Sequence, residues 1–211
     1  MRVIATNIGE KKEINYKGMR VVTGIYKYPV KEGIYLEAHD VKDDVVVDRE
    51  SHGGIDKACY LYNYDVYEYW KALHPDLDWG FGMFGENLTI AGLDETKVHV
   101  GAQYRIGEAI IEVSQPRQPC MKFGIRMGTQ SILKQFINTT YSGVYVRVLK
   151  AGKVQADDVL ELIKPQPEAP TIADAFYCLY QPELKRSMLD SLFNCEALAA
   201  SCKQGIAARL G

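Results

Sequence analysis

The run Gln115-Pro116-Arg117-Gln118-Pro119-Cys120 carries a single thiol at the end of a stiffened, cation-bearing bend. Each proline fixes its φ and removes a backbone donor, so the run reads as a rigid bend and not as a strand or helix interior. Arg117 lies three residues before the thiol, and Lys122 and Arg126 follow it. Positive charge nearby favours thiolate over thiol, and the thiolate is both the nucleophile and the metal ligand. Cys120 is therefore the first candidate to react or to coordinate. The competing reading is a small buried hydrophobe, a common role of free cysteine.

A second dense stretch is Ser51-His52-Gly53-Gly54-Ile55-Asp56-Lys57. Paired glycines let the backbone reach φ > 0 and approach a ligand closely, with a titratable base, an anion and a cation around the bend. Taken alone, it reads equally as a charged surface turn with an ordinary histidine. Lys27, in Ile25-Tyr26-Lys27-Tyr28-Pro29-Val30, sits just before a proline bend and taken alone reads as a solvent-facing lysine. Gly80-Phe81-Gly82-Met83-Phe84-Gly85 spells a dinucleotide fingerprint, but it leads into a strand instead of opening a helix, so pocket wall or packing is expected. The tyrosines at 60, 62, 64, 67 and 69 read as amphipathic packing on a helix rather than a base-stacking platform. His39, His74 and His99 share no metal-ligand spacing.

The elements that must position these residues fall into two regions. Composition is that of a globular chain, 47% hydrophobic and 25% charged, with a net charge of −2 that offers no electrostatic reason to bind nucleic acid or an anionic membrane. The N-terminus reads as no signal peptide, and no run approaches the ~18 apolar residues that span a bilayer. Five cysteines without C-x-x-C or zinc spacing point to reduced thiols and a cytoplasmic location.

Residues 1–164 are expected to form one mainly β domain, a barrel or sandwich with interspersed helices. Short strands are expected at Val45–Val47, Leu88–Ile90, Val98–Val100, Tyr104–Ile106 and Ile110–Val113. Val144, Val146 and Val148 alternate, Lys150–Lys153 can turn, and Val159–Leu162 return, a hairpin or meander pattern. Helices are expected from Asn63 to about Leu73, with Val66, Trp70 and Leu73 on one face, and from Thr129 to Asn138. Lys164–Pro170 is a proline-rich linker. Residues 165–211 then hold a helical subdomain: Ile172–Tyr180 with a Thr171/Asp174 capping box, Pro182–Phe193, and Glu196–Leu210 capped by Asn194.

With those residues in place, the chain resembles the MOSC family, named for the C-terminal domain of molybdenum cofactor sulfurases, and within it the YiiM-type bacterial branch. The resemblance rests on Ile25–Val30, His52–Ala58, Phe84–Thr89, Gln115–Cys120 and Gly143–Leu149 in that order, and on the helical tail with Glu196-Ala197-Leu198-Ala199. It covers nearly the whole chain and implies a β-barrel with a C-terminal helical extension. It further implies a molybdopterin-type molybdenum cofactor whose metal Cys120 ligates, a soft thiolate on a soft centre. The implied reaction is reduction of N-hydroxylated compounds, N-hydroxylated purine bases in this branch, which would serve their detoxification. Lys27, Asn87, Arg117, Cys120 and Arg147 would bind the cofactor, and Cys120, His52 and Lys27 would act in catalysis, His52 by passing a proton to the leaving water. Electrons would come from a separate reductase, since no flavin or nicotinamide motif is present. A small-molecule substrate is implied, neither nucleic acid nor membrane is, and a homodimer is compatible with the sequence. The alternative function is a sulfur or cofactor carrier holding a persulfide on Cys120; a third is a binding module without chemistry. The chain departs from the family at Asp43, where glycine is usual, at Cys59, and at Met121, where an aromatic is common.

Overall fold

In the computed structural model the described residues are 1–49, 53–181 and 185–210. Twelve strands are present: β1 Arg2–Gly9, β2 Lys12–Tyr16, β3 Met19–Thr23, β4 Lys27–Pro29, β5 Ile34–Leu36, β6 Cys59–Asn63, β7 Leu88–Ala91, β8 Gln103–Ile106, β9 Ala109–Pro116, β10 Val144–Lys150, β11 Gly152–Val154 and β12 Glu161–Lys164. The helices are α1 Tyr67–Leu73, α2 Met121–Arg126, α3 Ser131–Ile137, α4 Ile172–Tyr180, α5 Arg186–Asn194 and α6 Ala200–Ala207.

Eight strands form one sheet in the order β12-β8-β9-β10-β6-β7-β1-β4. It is antiparallel except for β6 and β7, which run parallel with Leu61 opposite Leu88. A parallel pair needs a long crossover, and residues 64–87 supply it, carrying α1 and the glycine-rich loop. Alternation along β10 buries Val144, Val146 and Val148, and these side chains join the larger core with Ile111 and Val113 of β9.

A mainly β barrel is expected from the sequence; the fold is instead mixed α/β, mostly one large sheet with helices, and the sheet does not close into a barrel. The amide of Val3 donates to Asp158 O at 2.9 Å and that of Leu160 to Met1 O at 3.0 Å. Arg2 and Val159 form an isolated bridge. The ladder stops there because β12 pairs with β8 beyond it, while β1 is engaged by β4 along Asn7–Gly9. The expected hairpin after β10 also fails. Both edges of β10 are occupied, by β9 and β6, so β11 leaves to pair with β5 and β12 with β8. Val45–Val47 and Val98–Val100 are not strands; the first of these runs lines a cleft.

Asn63 caps as expected, but the element it opens is a 3-10 turn, Tyr64–Val66, with its side-chain oxygen accepting from Asp65 N at 2.9 Å. Val66 and Trp70 are buried while Leu73 is exposed. Tyr60 and Tyr62 belong to β6 and not to a helix. The second expected helix is α3, with Ile132 and Phe136 inward. The Thr171/Asp174 capping box is present in full and opens α4. Expected Pro182–Phe193 is observed as Arg186–Asn194, residues 182–184 lying outside the described set. The last helix starts only at Ala200, with Ala199 at the N-cap position and no side-chain cap, because Asn194 is spent as the end of α5. Ile172, Cys178, Leu192, Cys202 and Ile206 share one cluster with the sheet's buried residues, which supplies the burial that three short helices lack alone.

Beneath the start of β10, Glu95 is buried and accepts from Gly143 N at 2.9 Å. Burial pushes its carboxyl from an ordinary value of 4.5 up to about 7. Its proton is therefore held more tightly folded than unfolded. The resulting stabilisation is complete at acid pH and is lost between about pH 4.5 and 7, by on the order of 3 kcal/mol. Glu95→Gln keeps the acceptor without the charge. It is expected to match the parent at pH 4.5 and exceed it at pH 8 in denaturant unfolding; a parallel pH profile would contradict this.

Candidate functional site

The cleft forms where β9 runs out. Gln115 and Pro116 are still strand, paired with Tyr145 and Val144, so the rigid bend begins at Arg117, two residues later than expected. Its end is Cys120, extended at φ −129°, ψ 169°, immediately before α2, a helix not foreseen. The Cys120 carbonyl accepts from Phe123 N at 3.0 Å and Gly124 N at 3.3 Å. The thiol is half-buried.

Cys120 lies at the junction of two clefts. The first has an empty volume of about 680 Å³, counting its open part, and is lined among others by Lys27, Asp44, Lys57, Asn87, Arg117 and Tyr145. The second, about 850 Å³, shares Cys120, Lys57, Lys122, Asp48 and Tyr145 and adds Gln115, Gln118, Pro119 and Met121.

Arg117 is the unusual group. It is 5% exposed and lies over the Phe123 ring at 4.4 Å, with Phe136 at 5.2 Å and Tyr60 at 5.8 Å. Its Nη1 is buried and, among the described residues, has no hydrogen-bond partner. Among the described residues it joins no ion pair. An aromatic cage offers a cation part of what water gives it, yet a buried, uncompensated guanidinium remains costly unless an anion arrives.

Lys27 differs. It is also buried, but its ammonium pairs with the buried Asp44 carboxylate. Asp44 also accepts from Gly9 N at 2.8 Å and from Asn87 Nδ2 at 2.9 Å. Asn87 in turn accepts from Tyr60 N at 3.3 Å. Asn87 thus orients Asp44, Asp44 balances Lys27, and Arg117 holds the unbalanced charge. Asp44 was not singled out from the sequence. Its neighbour Asp43 adopts φ 65°, a left-handed conformation that glycine takes at less cost.

Of Gly80–Gly85, Phe84 and Gly85 line the first cleft while Phe81 and Met83 pack in the aromatic cluster, so the run is part pocket wall and part packing. Gly82 has φ 82°, and a Cβ there would sit 2.6 Å from Lys27 O. The buried Glu86 carboxylate gathers the loop by accepting from Gly82 N at 2.8 Å, Phe84 N at 3.1 Å, Thr89 Oγ1 at 2.9 Å and the Tyr67 hydroxyl. Burial raises its pKa, which those donors partly offset. Phe84 stacks on Tyr62 at 3.9 Å and, with Phe123 and Phe136, forms the aromatic cluster packed against Cys120.

Two sequence candidates stand elsewhere. Arg147 donates to Asp56 Oδ1 at 2.6 Å, Glu112 Oε1 at 2.9 Å and Ala197 O at 2.8 Å. It faces a groove beside the helical extension and not the Cys120 clefts. Arg126 lies over Tyr26 at 4.5 Å. His52 falls outside the described residues. Lys57 and Lys122 line both clefts. The phenols of Tyr60 and Tyr145 are pushed up by burial, Tyr145 to about 12, against the pull of Arg117. They remain hydrogen-bond donors near neutral pH.

Residues 48–161 match the MOSC domain, more than half of the chain and most of both clefts. The chain belongs to the MOSC family. MOSC domains are associated with molybdenum-cofactor binding in general. This MOSC chain is 38% identical over 162 residues to the uncharacterised protein YflK of Bacillus subtilis (strain 168), covering 76% of this chain and 72% of YflK. It is 33% identical over 156 residues to a protein named Reductase from Gibberella moniliformis, covering 72% of this chain but only 28% of that relative. The crystal structure of YiiM from Geobacillus stearothermophilus superposes with a TM-score of 0.82 at 29% identity, over 100% of this chain and 99% of the other. Among the described residues no helix is long and apolar enough to cross a membrane.

The chain's own residues fit an anionic, thiolate-ligated group. The first cleft is open to solvent and is lined by the groups such a cofactor would need. It offers one soft ligand, one orphaned buried cation and a neutralised ammonium that can still donate hydrogen bonds.

Proposed function

We propose that this chain is a molybdenum-cofactor-dependent reductase of N-hydroxylated compounds, with N-hydroxylated purine bases as the substrate class. The observation that carries the reading is Arg117, buried and, among the described residues, without a counter-ion in the cleft that also holds the half-exposed Cys120 thiol. Cys120 would ligate the metal, and Arg117 would meet an anionic oxygen or dithiolene of the pterin. Lys27, already balanced by Asp44, would add hydrogen bonds without net charge. Asn87 would act through Asp44. When bound, the cofactor would supply two-electron redox chemistry. The overall reaction, R–NH–OH + 2 e⁻ + 2 H⁺ → R–NH2 + H2O, takes both electrons from a separate reductase. The match to part of a longer protein named Reductase supports reductive chemistry.

Protein purified from a cofactor-producing host is expected to carry close to one molybdenum and one pterin per chain, and to convert an N-hydroxylated purine to its amine with reduced viologen as donor. Metal-free protein, or metal-loaded protein without amine formation, would overturn the reading. A carrier would instead show Cys120 heavier by one sulfur and no turnover.

A further inference from the structure

Lys57 and Lys122 are the two cations that both clefts share with Cys120 and that the assignments above leave without a task, and of the two it is Lys57 that burial shifts. It closes the 3-10 turn Ile55–Lys57, its amide donating to Gly54 O at 3.0 Å. That turn is held from behind. Asp56 O accepts from Ser114 Oγ at 2.6 Å, and the Asp56 carboxylate accepts from Arg147 Nε at 2.6 Å. Arg147 is itself fixed by Glu112 and by Ala197 O of the helical extension. The second cleft holds Gln115 and Gln118 and excludes Arg117 and Asp44, the groups suited to an anionic cofactor. Gln115 is oriented by Ser201 Oγ, which donates to its Oε1 at 2.9 Å. Primary amides present both a donor and an acceptor, the complement of a neutral nucleobase edge.

We infer that the second cleft is the substrate subsite, taking a neutral planar hydroxylamine, and that Lys57 is the proton donor to its leaving hydroxyl. The inference rests on the reductase reading above. The N–O bond breaks as two electrons from the separate reductase reach the substrate. The oxygen leaves with the proton of the Lys57 ammonium as water, and the nitrogen takes its second proton from solvent through the open cleft. Lys57 is recharged from the same solvent.

The charged and titratable surroundings suit the task. Burial lowers the Lys57 pKa, while Asp56 on its own turn and Asp48 on the 44–48 loop raise it again; Cys202 on α6 also faces it, but its thiol stays protonated near neutral pH and brings no charge. Lys122 of α2 and Tyr145 of β10 border both clefts, and Arg117 borders the first. A half-buried ammonium surrenders its proton more readily than an exposed one.

The test compares Lys57→Met and Lys57→Arg in the cofactor-loaded protein and follows the lysines of the cofactor-free protein. Both variants are expected to keep parental molybdenum and pterin contents and to lose at least ~100-fold in kcat, because a guanidinium holds its proton throughout the accessible pH range. The alkaline limb of the parental kcat profile is expected to vanish in both. In cofactor-free protein with 13C-methylated lysines, one resonance, absent from Lys57→Met, is expected to titrate below the others. Recovery of kcat in Lys57→Arg would show a role of charge alone and overturn the inference, as would loss of metal in Lys57→Met or a Lys57 resonance that titrates with the rest. Failure of the parent itself to retain molybdenum would sink the reductase reading, and this inference with it. A fully active parent with a fully active Lys57→Met would sink this inference only.

Discussion

Cys120→Ala is expected to purify folded, free of molybdenum and pterin, and inactive towards N-hydroxylated substrates. The fold should survive because Cys120 contributes backbone to its surroundings: its carbonyl receives the first amides of α2, and its side chain makes no helix cap. Removing a half-exposed sulfur should change unfolding free energy by about 0.5 kcal/mol or less. No other thiol can take its place. Burial raises the thiol pKa of Cys59, that of Cys178 to about 11 and that of Cys202 to about 12, so these sulfurs stay protonated near neutral pH. Cys195 is half-buried, but it lines the groove beside Arg147 and neither of the Cys120 clefts. Cys120→Ser is the sharper control, since an alcohol has the size of the thiol but is a poor ligand for a soft metal. Molybdenum retained in either variant, measured per chain against the parent, would remove Cys120 from the metal site.

The thiol was readable from sequence because its signal is local: two prolines and an arginine within six residues announce a rigid, cationic bend whatever surrounds it. Other parts of the site depend on pairings that span the chain. Asp44 matters because Gly9, 35 residues before it, and Asn87, 43 residues after it, converge on one carboxylate; nothing in Val41–Asp44 marks that. Arg147 shows the reverse. It belongs to a matching motif, yet the alternation of β10 turns it away from the inward-facing valines and towards Asp56 and Glu112. The capping box at Thr171 was legible to the residue because a cap is decided within four positions. Strand partners were not: β10 looked like half of a hairpin, but its neighbours are β9 and β6, and register between distant strands leaves no local trace. The same limit explains the barrel, since closure depends on whether β12 reaches β1.

Arg117→Met is expected to move function and stability in opposite directions. In the folded chain the guanidinium sits among Phe123, Phe136 and Tyr60, with one nitrogen lacking any partner and no carboxylate paired to it among the described residues. An unbent apolar side chain of similar length can fill that cage without the desolvation cost, and replacing buried charge by well-packed apolar atoms is often neutral or stabilising by ~1–4 kcal/mol. Cofactor-free Arg117→Met should therefore unfold at the same or higher denaturant concentration than the parent. The cofactor-loaded preparation should show the reverse, with pterin retention and kcat both reduced by two orders of magnitude or more, the scale of losing a buried charge-assisted pair (about 3 kcal/mol). Inorganic phosphate supplies an independent readout. It should raise the thermal midpoint of the cofactor-free parent in a concentration-dependent way, as any ligand of the native state does, and leave Arg117→Met unmoved. A variant that is less stable, still phosphate-responsive and still loaded with pterin would make Arg117 a structural cation and would return the first cleft to an open question of packing.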